Sequence, residues 1–198
     1  MHSENYQQFS QFLRKITKVP NEEIEKAVGV FRPVQLKKNS FFVMAGEIPE
    51  DVGFLVSGIL RFFYIDESGK EFTKSFCEEN NVVAALSALL QNEPARYFIQ
   101  ALENSLLLVA PYTAYQELLA GHRCWQILDH KFTQALFIRK EKREGELLLD
   151  DAETRYLSFL AEYPELNKRL KQHYIASYLG ITPVTLSRIR SKLKKINL

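Results

Sequence analysis

Histidine is missing from the whole middle of this chain. The four present, His2, His122, His130 and His173, leave residues 31–110 without one. That removes the imidazole ligands with which a barrel-shaped enzyme would hold a catalytic metal. Cysteine is scarce as well: Cys77 and Cys124 stand alone with no CxxC spacing, and read as two packed thiols rather than a bridge. No GxSxG, HExxH, P-loop or GxGxxG pattern occurs. No apolar run approaches the roughly 20 residues of a membrane span. The opening "MHSENYQQFSQFLRK" lacks the basic-then-apolar order of a secretory signal. These absences argue against the commoner enzyme classes, and they predict a cytoplasmic protein that is not an enzyme, needs no cofactor and meets no membrane.

Acid is what the C-terminal segment lacks. Residues 164–198 hold 8 Lys and Arg against one acid, Glu165, a net of +7. Residues 1–163 hold the remaining 18 basic and 23 acidic residues, a net of −5. A basic module on an acidic body is the charge pattern of a nucleic-acid binder. A merely solubilising basic tail is poor in Leu and Ile; this one is rich in both.

What is present divides into three textures. Phe9, Phe12, Leu13 and Ile16 share one face of a predicted helix over 6–17. After Pro20, Asn21 is expected to cap a second helix to about Val28. From Phe31 to Ala110, short runs of Val, Ile, Phe and Tyr alternate with turns, Asp66-Glu67-Ser68-Gly69 among them. Such a series predicts a sandwich or barrel, with a short helix in "NNVVAALSALL". Thr113 and Gln116 fit a capping box before "AYQELL". A long helix over about 123–149 follows. In it Trp125, Leu128, Phe132, Ala135 and Arg139 fall near heptad spacing with Leu136 beside them, which fits either a dimer seam or a helix packed on its own domain, the seam being the expectation. Asp150 with Glu153 is expected to cap one more helix, ended by Pro164.

The stretch "IASYLGITPVTLSRIRSKL", residues 175–193, meets the conditions for two helices crossing through a tight turn. Ala176 is the small contact residue, Gly180 can take positive φ in the turn, and Ile175, Leu179, Ile181, Leu186 and Ile189 supply the inner face. Thr182 suits the N-cap and Pro183 the first helical position. The expected DNA-binding residues are Thr182, Val184, Thr185, Ser187, Arg188, Arg190, Ser191 and Lys192. Arg188 is expected to read guanine in the major groove, and Arg190, Lys194 and Lys195 to meet backbone phosphates.

With "AGE" at 45–47 and "GFLVSGILRFFYIDESGKEF" at 53–72, this stretch makes nearly the whole chain resemble the Crp/Fnr superfamily of bacterial transcription regulators, in the compact form often found in Bacteroidetes. The resemblance implies an α+β fold: an N-terminal antiparallel β jelly roll (a double-stranded β-helix) of the cyclic-nucleotide-binding type over 1–121, a long dimerisation helix over 122–149, and a C-terminal winged helix-turn-helix over 150–198. The last strand of the wing would be reduced or missing. It also implies a homodimer on palindromic double-stranded DNA, with RNA polymerase and a small-molecule effector as further partners.

In that family a Gly-Glu pair and a later Arg-Ser pair hold the cyclic nucleotide. Here the matching positions are Ala84 and Ala85, and "PARYF" puts Ala95 at the Arg position with Arg96 one residue late. Tight cyclic AMP or cyclic GMP binding is therefore not expected, and Arg96 is left as a candidate anion contact. An Fnr-type iron–sulfur cluster would need four Cys ligands. The rival readings are a protein-interaction or effector-sensing module with weak or no specific DNA binding, and a cupin-type enzyme. The basic C-terminus speaks against the first, the empty histidine count of 31–110 against the second.

Overall fold

Period-two alternation decides which way each strand side chain faces, and two separate cores result. The computed structural model describes residues 2–195 in two compact units. One comprises the chain up to Phe63 with Phe76–Ala135; the other comprises Tyr64–Ser75 with the chain from Leu136 on.

Two four-stranded sheets form the roll, with residues 64–65 and 71–75 of their strands falling in the second unit. Eight strands run in chain order: β1 (Arg32–Leu36), β2 (Phe41–Val43), β3 (Asp51–Ser57), β4 (Leu60–Ile65), β5 (Glu71–Cys77), β6 (Asn81–Val83), β7 (Phe98–Ala101) and β8 (Ser105–Pro111). They pair in the orders β1-β8-β3-β6 and β2-β7-β4-β5, with antiparallel registers such as Val34↔Leu107 and Phe62↔Ile99. First strand beside last, second beside seventh, is jelly-roll order. Leu55, Leu107 and Val109 of one sheet and Leu60, Phe62 and Ile99 of the other form the interior core.

Val52, Phe54, Val56, Leu108 and Ala110 point the opposite way. They meet α1 (His2–Ile16), α2 (Asn21–Val30), α4 (Tyr112–Ala120) and the start of α5 (Arg123–Leu149) in a second core with Phe9, Leu13, Ala27, Trp125 and Leu128. Phe9 packs on Phe31 and Phe54 with ring centres 4.8 and 5.1 Å apart. Each such large side chain contributes about 1.5–3 kcal/mol by leaving water. Trp125 Nε1 donates to Glu23 Oε2 at 2.8 Å, so the buried indole is satisfied. Lys26 Nζ donates to the other oxygen at 2.6 Å. Those two bonds, that from Lys26 foremost, hold the Glu23 carboxyl below its ordinary range. Between β3 and β4, Gly58 sits at φ 106°, where any Cβ would stand 2.1 Å from Ser105 Oγ.

In the second unit, Asp66 Oδ1 accepts from the Ser68 and Lys70 amides at 2.9 Å and closes the β4–β5 turn expected there. The unit also holds the later part of α5, α6 (Ala152–Glu162), α7 (Leu166–Arg169), α8 (Gln172–Leu179) and α9 (Pro183–Lys195). The sequence suggests a domain change at Leu149, but the compact units part after Ala135. Late α5 is tied in by Arg143 against Tyr178, and by Lys142 to Glu162 at 3.4 Å. The predicted short helix is α3 (Leu86–Gln91).

Three expected caps shift. Asp151, not Asp150, caps α6, accepting from the Thr154 amide at 2.8 Å. Helix α2 starts after Pro20 and α4 after Pro111, neither with a side-chain cap. Strand β8 runs straight into α4, so Thr113 lies inside the helix instead of ahead of it. No strand lies between α6 and the end of α9 among the described residues, so the expected wing has no counterpart there.

Candidate nucleic-acid interface

The turn between α8 and α9 is built by backbone hydrogen bonding around one left-handed residue. Gly180 has φ 68° and ψ 31°. Its amide donates to Ser177 O at 3.2 Å, and the Ile181 amide donates to Ala176 O at 3.0 Å. This pair of bonds is a Schellman end. The remaining exposed carbonyls of α8 are met by cations, which also suit the negative end of a helix. Arg155 Nε donates to Leu179 O at 3.0 Å. Arg143 donates to Tyr178 O and lies 3.9 Å over the Tyr178 ring. Ile175, Ala176, Leu179 and Leu186 are fully buried, with Ile189 and Leu193 close behind. The contact predicted between the two helices is thus present, with Ala176 buried in it.

Helix α9 begins at the predicted cap. Thr182 Oγ1 accepts from the Thr185 amide at 3.1 Å and lies 2.9 Å from Thr185 Oγ1. Two of the hydroxyls expected on DNA therefore already serve the helix start. With Leu186, Ile189 and Leu193 inward, about 100° per residue puts Val184, Ser187, Arg188, Ser191 and Lys195 outward. All five are exposed. No hydrogen bond or ion pair engages Arg188 among the described residues, so its guanidinium is free for a partner.

Two expected contacts are placed otherwise. Arg190 is half-buried: its Nε donates to Tyr156 Oη at 2.9 Å, its Nη2 to Asn167 Oδ1, and its guanidinium lies 5.5 Å from the Tyr156 ring centre. It is a packing residue, because it follows Ile189 by one and Leu186 by four and so falls on the inner flank. Lys192 is exposed but reaches Glu153 Oε2 at 2.6 Å.

A contact the sequence reading missed ties the β4–β5 hairpin to α8. Ser177 Oγ accepts from the Thr73 amide at 2.9 Å and donates to Glu71 O at 3.2 Å. Nothing local to "ASYLG" signals it, since its partners lie more than 100 residues away. Beside it Lys74 is half-buried; loss of water, with Lys140 adding like charge, pushes its ammonium down to about 8.

The candidate effector residues do not converge. Ala85 is buried in the interior core between the sheets. Ala84 faces the helices instead, on a cavity of about 60 Å³ whose walls include Phe12, Phe54, Tyr115, Leu128 and Phe132. Arg96 is exposed, while its neighbours Ala95 and Tyr97 are buried at 2% and 5%. The one-residue offset read from "PARYF" thus turns the cation out of the roll. The cavity is almost wholly apolar; its polar feature is Tyr115 Oη donating to Asp129 Oδ1 at 3.0 Å.

The seam expected on α5 needs revision. Trp125 and Leu128 are buried core, and Phe132 and Leu136 are half-buried. The heptad stripe that they form faces this chain's own packing. Ala135 and Arg139 are exposed, as are Phe137, Ile138, Leu148 and Leu149.

Among the described residues, no cluster of three His, Cys, Asp or Glu side chains is placed to hold a metal. No described helix is long and apolar enough to cross a membrane.

Comparison with known proteins agrees with this architecture. Residues 33–122 match the model of the cyclic nucleotide-binding domain family. The Global nitrogen regulator of a Nostoc species is 26% identical over 185 residues, covering 86% of this chain and 83% of its own. FixK2 from Bradyrhizobium japonicum shares the fold with a TM-score of 0.74 at 19% identity, over 85% of this chain and 86% of that one. A transcriptional regulator of the crp/fnr family from Eubacterium rectale does so with a TM-score of 0.67 at 14% identity, over 89% of this chain and 84% of that one. A roll of the cyclic nucleotide-binding type, a long helix and a helix-turn-helix thus give this chain the fold of these proteins along most of its length.

Proposed function

We propose that the protein is a homodimer that reads a palindromic double-stranded DNA site through α9, one helix in each of two successive major grooves. The observation that carries this reading is the outward face of α9, where Val184, Ser187, Arg188 and Ser191 stand exposed with the Arg188 guanidinium unengaged. An arginine so placed matches the O6 and N7 acceptors of guanine. Lys194 and Lys195 are exposed and suit phosphates, while Arg190 keeps its role in packing.

The second copy docks along late α5. Ala135, Ile138, Gly145 and Leu149 recur at intervals of three, seven and four, flanked by Phe137 and Leu148, and the side chains of this stripe are exposed apart from the half-exposed Gly145. That is a seam of coiled-coil type. A two-fold pair then sets its readers about one DNA turn, ~34 Å, apart.

The effector of this regulator is not a cyclic nucleotide in this reading, because Ala84, Ala85 and Arg96 offer neither an acid nor a converging cation. The apolar cavity suits a small apolar ligand better than an anion.

The test is selection of bound sequences from a random DNA pool by the purified, ligand-free protein at two salt concentrations. A palindrome with half-sites one turn apart, bound more weakly as salt rises, is the expected result. Absence of binding at both salts, with and without extracts of small molecules, would refute the DNA-reading role.

A further inference from the structure

Val184 is the one apolar residue of α9 beyond the first position that does not pack. Leu186, Ile189 and Leu193 are buried, whereas Val184 is 60% exposed. A single exposed apolar side chain is ordinary on a protein surface, so its place is what matters. It stands at the second position of the helix, four before Arg188, and residues four apart share a face. Helix formation gives no reason for a valine there, since β-branched residues are poorer helix formers than Ala, Leu or Lys. The same branching fixes χ1, so the two methyl groups are held in one place beside the free guanidinium.

The major groove offers one apolar feature, the C5-methyl of thymine. Resting on the DNA reading above, we propose that Val184 is a specificity-determining residue that selects thymine by contact with this methyl. The thymine lies close to the guanine read by Arg188. Four residues rise about 6 Å along a helix, and successive base pairs are about 3.4 Å apart, so the two bases fall within about two steps of each other. A carboxylate at this point would accept from the cytosine amino group instead; valine has no polar atom and replaces that preference with one for the methyl.

Deoxyuridine differs from thymidine only by this methyl, which makes the proposal testable at one atom. In the palindrome selected by the full-length protein, each thymine of one half-site is replaced in turn by deoxyuridine, and affinity is followed by fluorescence anisotropy. One replacement near the conserved guanine is expected to weaken binding about three- to fivefold, the effect of one buried methyl. Cytosine at that position weakens it further, and 5-methylcytosine restores part of the loss. With Val184→Ala, thymine and deoxyuridine become equivalent at that position, while the guanine preference is kept. A flat deoxyuridine series with the motif and its Arg188 dependence intact would overturn the role of Val184 and leave the DNA reading standing. If no motif is selected at all, the DNA reading and the role of Val184 fall together.

Discussion

From Arg123 to Ala135, α5 turns Trp125 and Leu128 into a core with Phe9 and Phe54; from Leu136 to Leu149 it leaves Phe137, Ile138, Leu148 and Leu149 exposed. Both halves carry apolar residues at helical spacing. The inward stripe of Trp125, Leu128, Phe132 and Leu136 was the one with visible heptad spacing, yet it serves this chain's own packing. The stripe available to a second copy lies on the other side, around Ile138 and Leu149. Apolar spacing along one helix reports that a face is covered without naming what covers it. Two arginines of α9 repeat the lesson two residues apart: Arg190 is tied to Tyr156 and Asn167, and Arg188 is left free.

Substitutions can break this contrast in order of expected effect. Trp125→Ala removes a fully buried indole and one of the two donors to Glu23, so it should destabilise the first unit by about 3–5 kcal/mol in urea unfolding. Ile138→Lys with Leu149→Lys should leave thermal unfolding of the monomer near that of the parent but abolish the dimer in analytical ultracentrifugation. A dimer that survives both changes would move the seam elsewhere. Next come the two arginines. Arg188→Ala is expected to cost about 1–3 kcal/mol of discrimination at one base position with an unchanged melting temperature. Arg190→Ala should lower the melting temperature by removing the bonds to Tyr156 and Asn167, at about 1–2 kcal/mol, with sequence preference retained.

Smaller effects test the hairpin. Ser177→Ala removes the Thr73–Ser177 hydrogen bond, a loss of about 1 kcal/mol, read as faster amide exchange at residues 71–75. Lys74 supplies a pH signature. Its folded value of about 8 lies below its unfolded one, so between these the unfolded chain binds more protons at this position. Stability from this site therefore rises with pH through and above about 8 and is lowest under more acid conditions. Lys74→Met should flatten that rise when melting temperatures at pH 7.5 and 9.5 are compared.

Much of the candidate site was legible in the order of residues because its causes are local. Thr182 before Pro183, Gly180 after Leu179 and Ala176 four earlier each obey a rule of helix ends or close contact that spans a few positions. Arg190 could have been placed by the same arithmetic, since it flanks the buried stripe of Leu186, Ile189 and Leu193. The misplaced caps had a different origin. Asp150 and Asp151 are equivalent by composition, and only the end of α5 at Leu149 chooses between them. Thr113 has the right chemistry for a cap but lies two residues too late, because β8 ends in Pro111 and the helix begins at once.

By itself, the sequence determined the strand-rich roll, the long helix and the basic helix-turn-helix, because hydrophobic period, turn residues and charge act between near neighbours. Only the tertiary structure decided which face of α5 is inward, which arginine of α9 is engaged, and that Ala84, Ala85 and Arg96 point three different ways. Each of those outcomes depends on which distant segment occupies the space beside a side chain, and no local pattern encodes that.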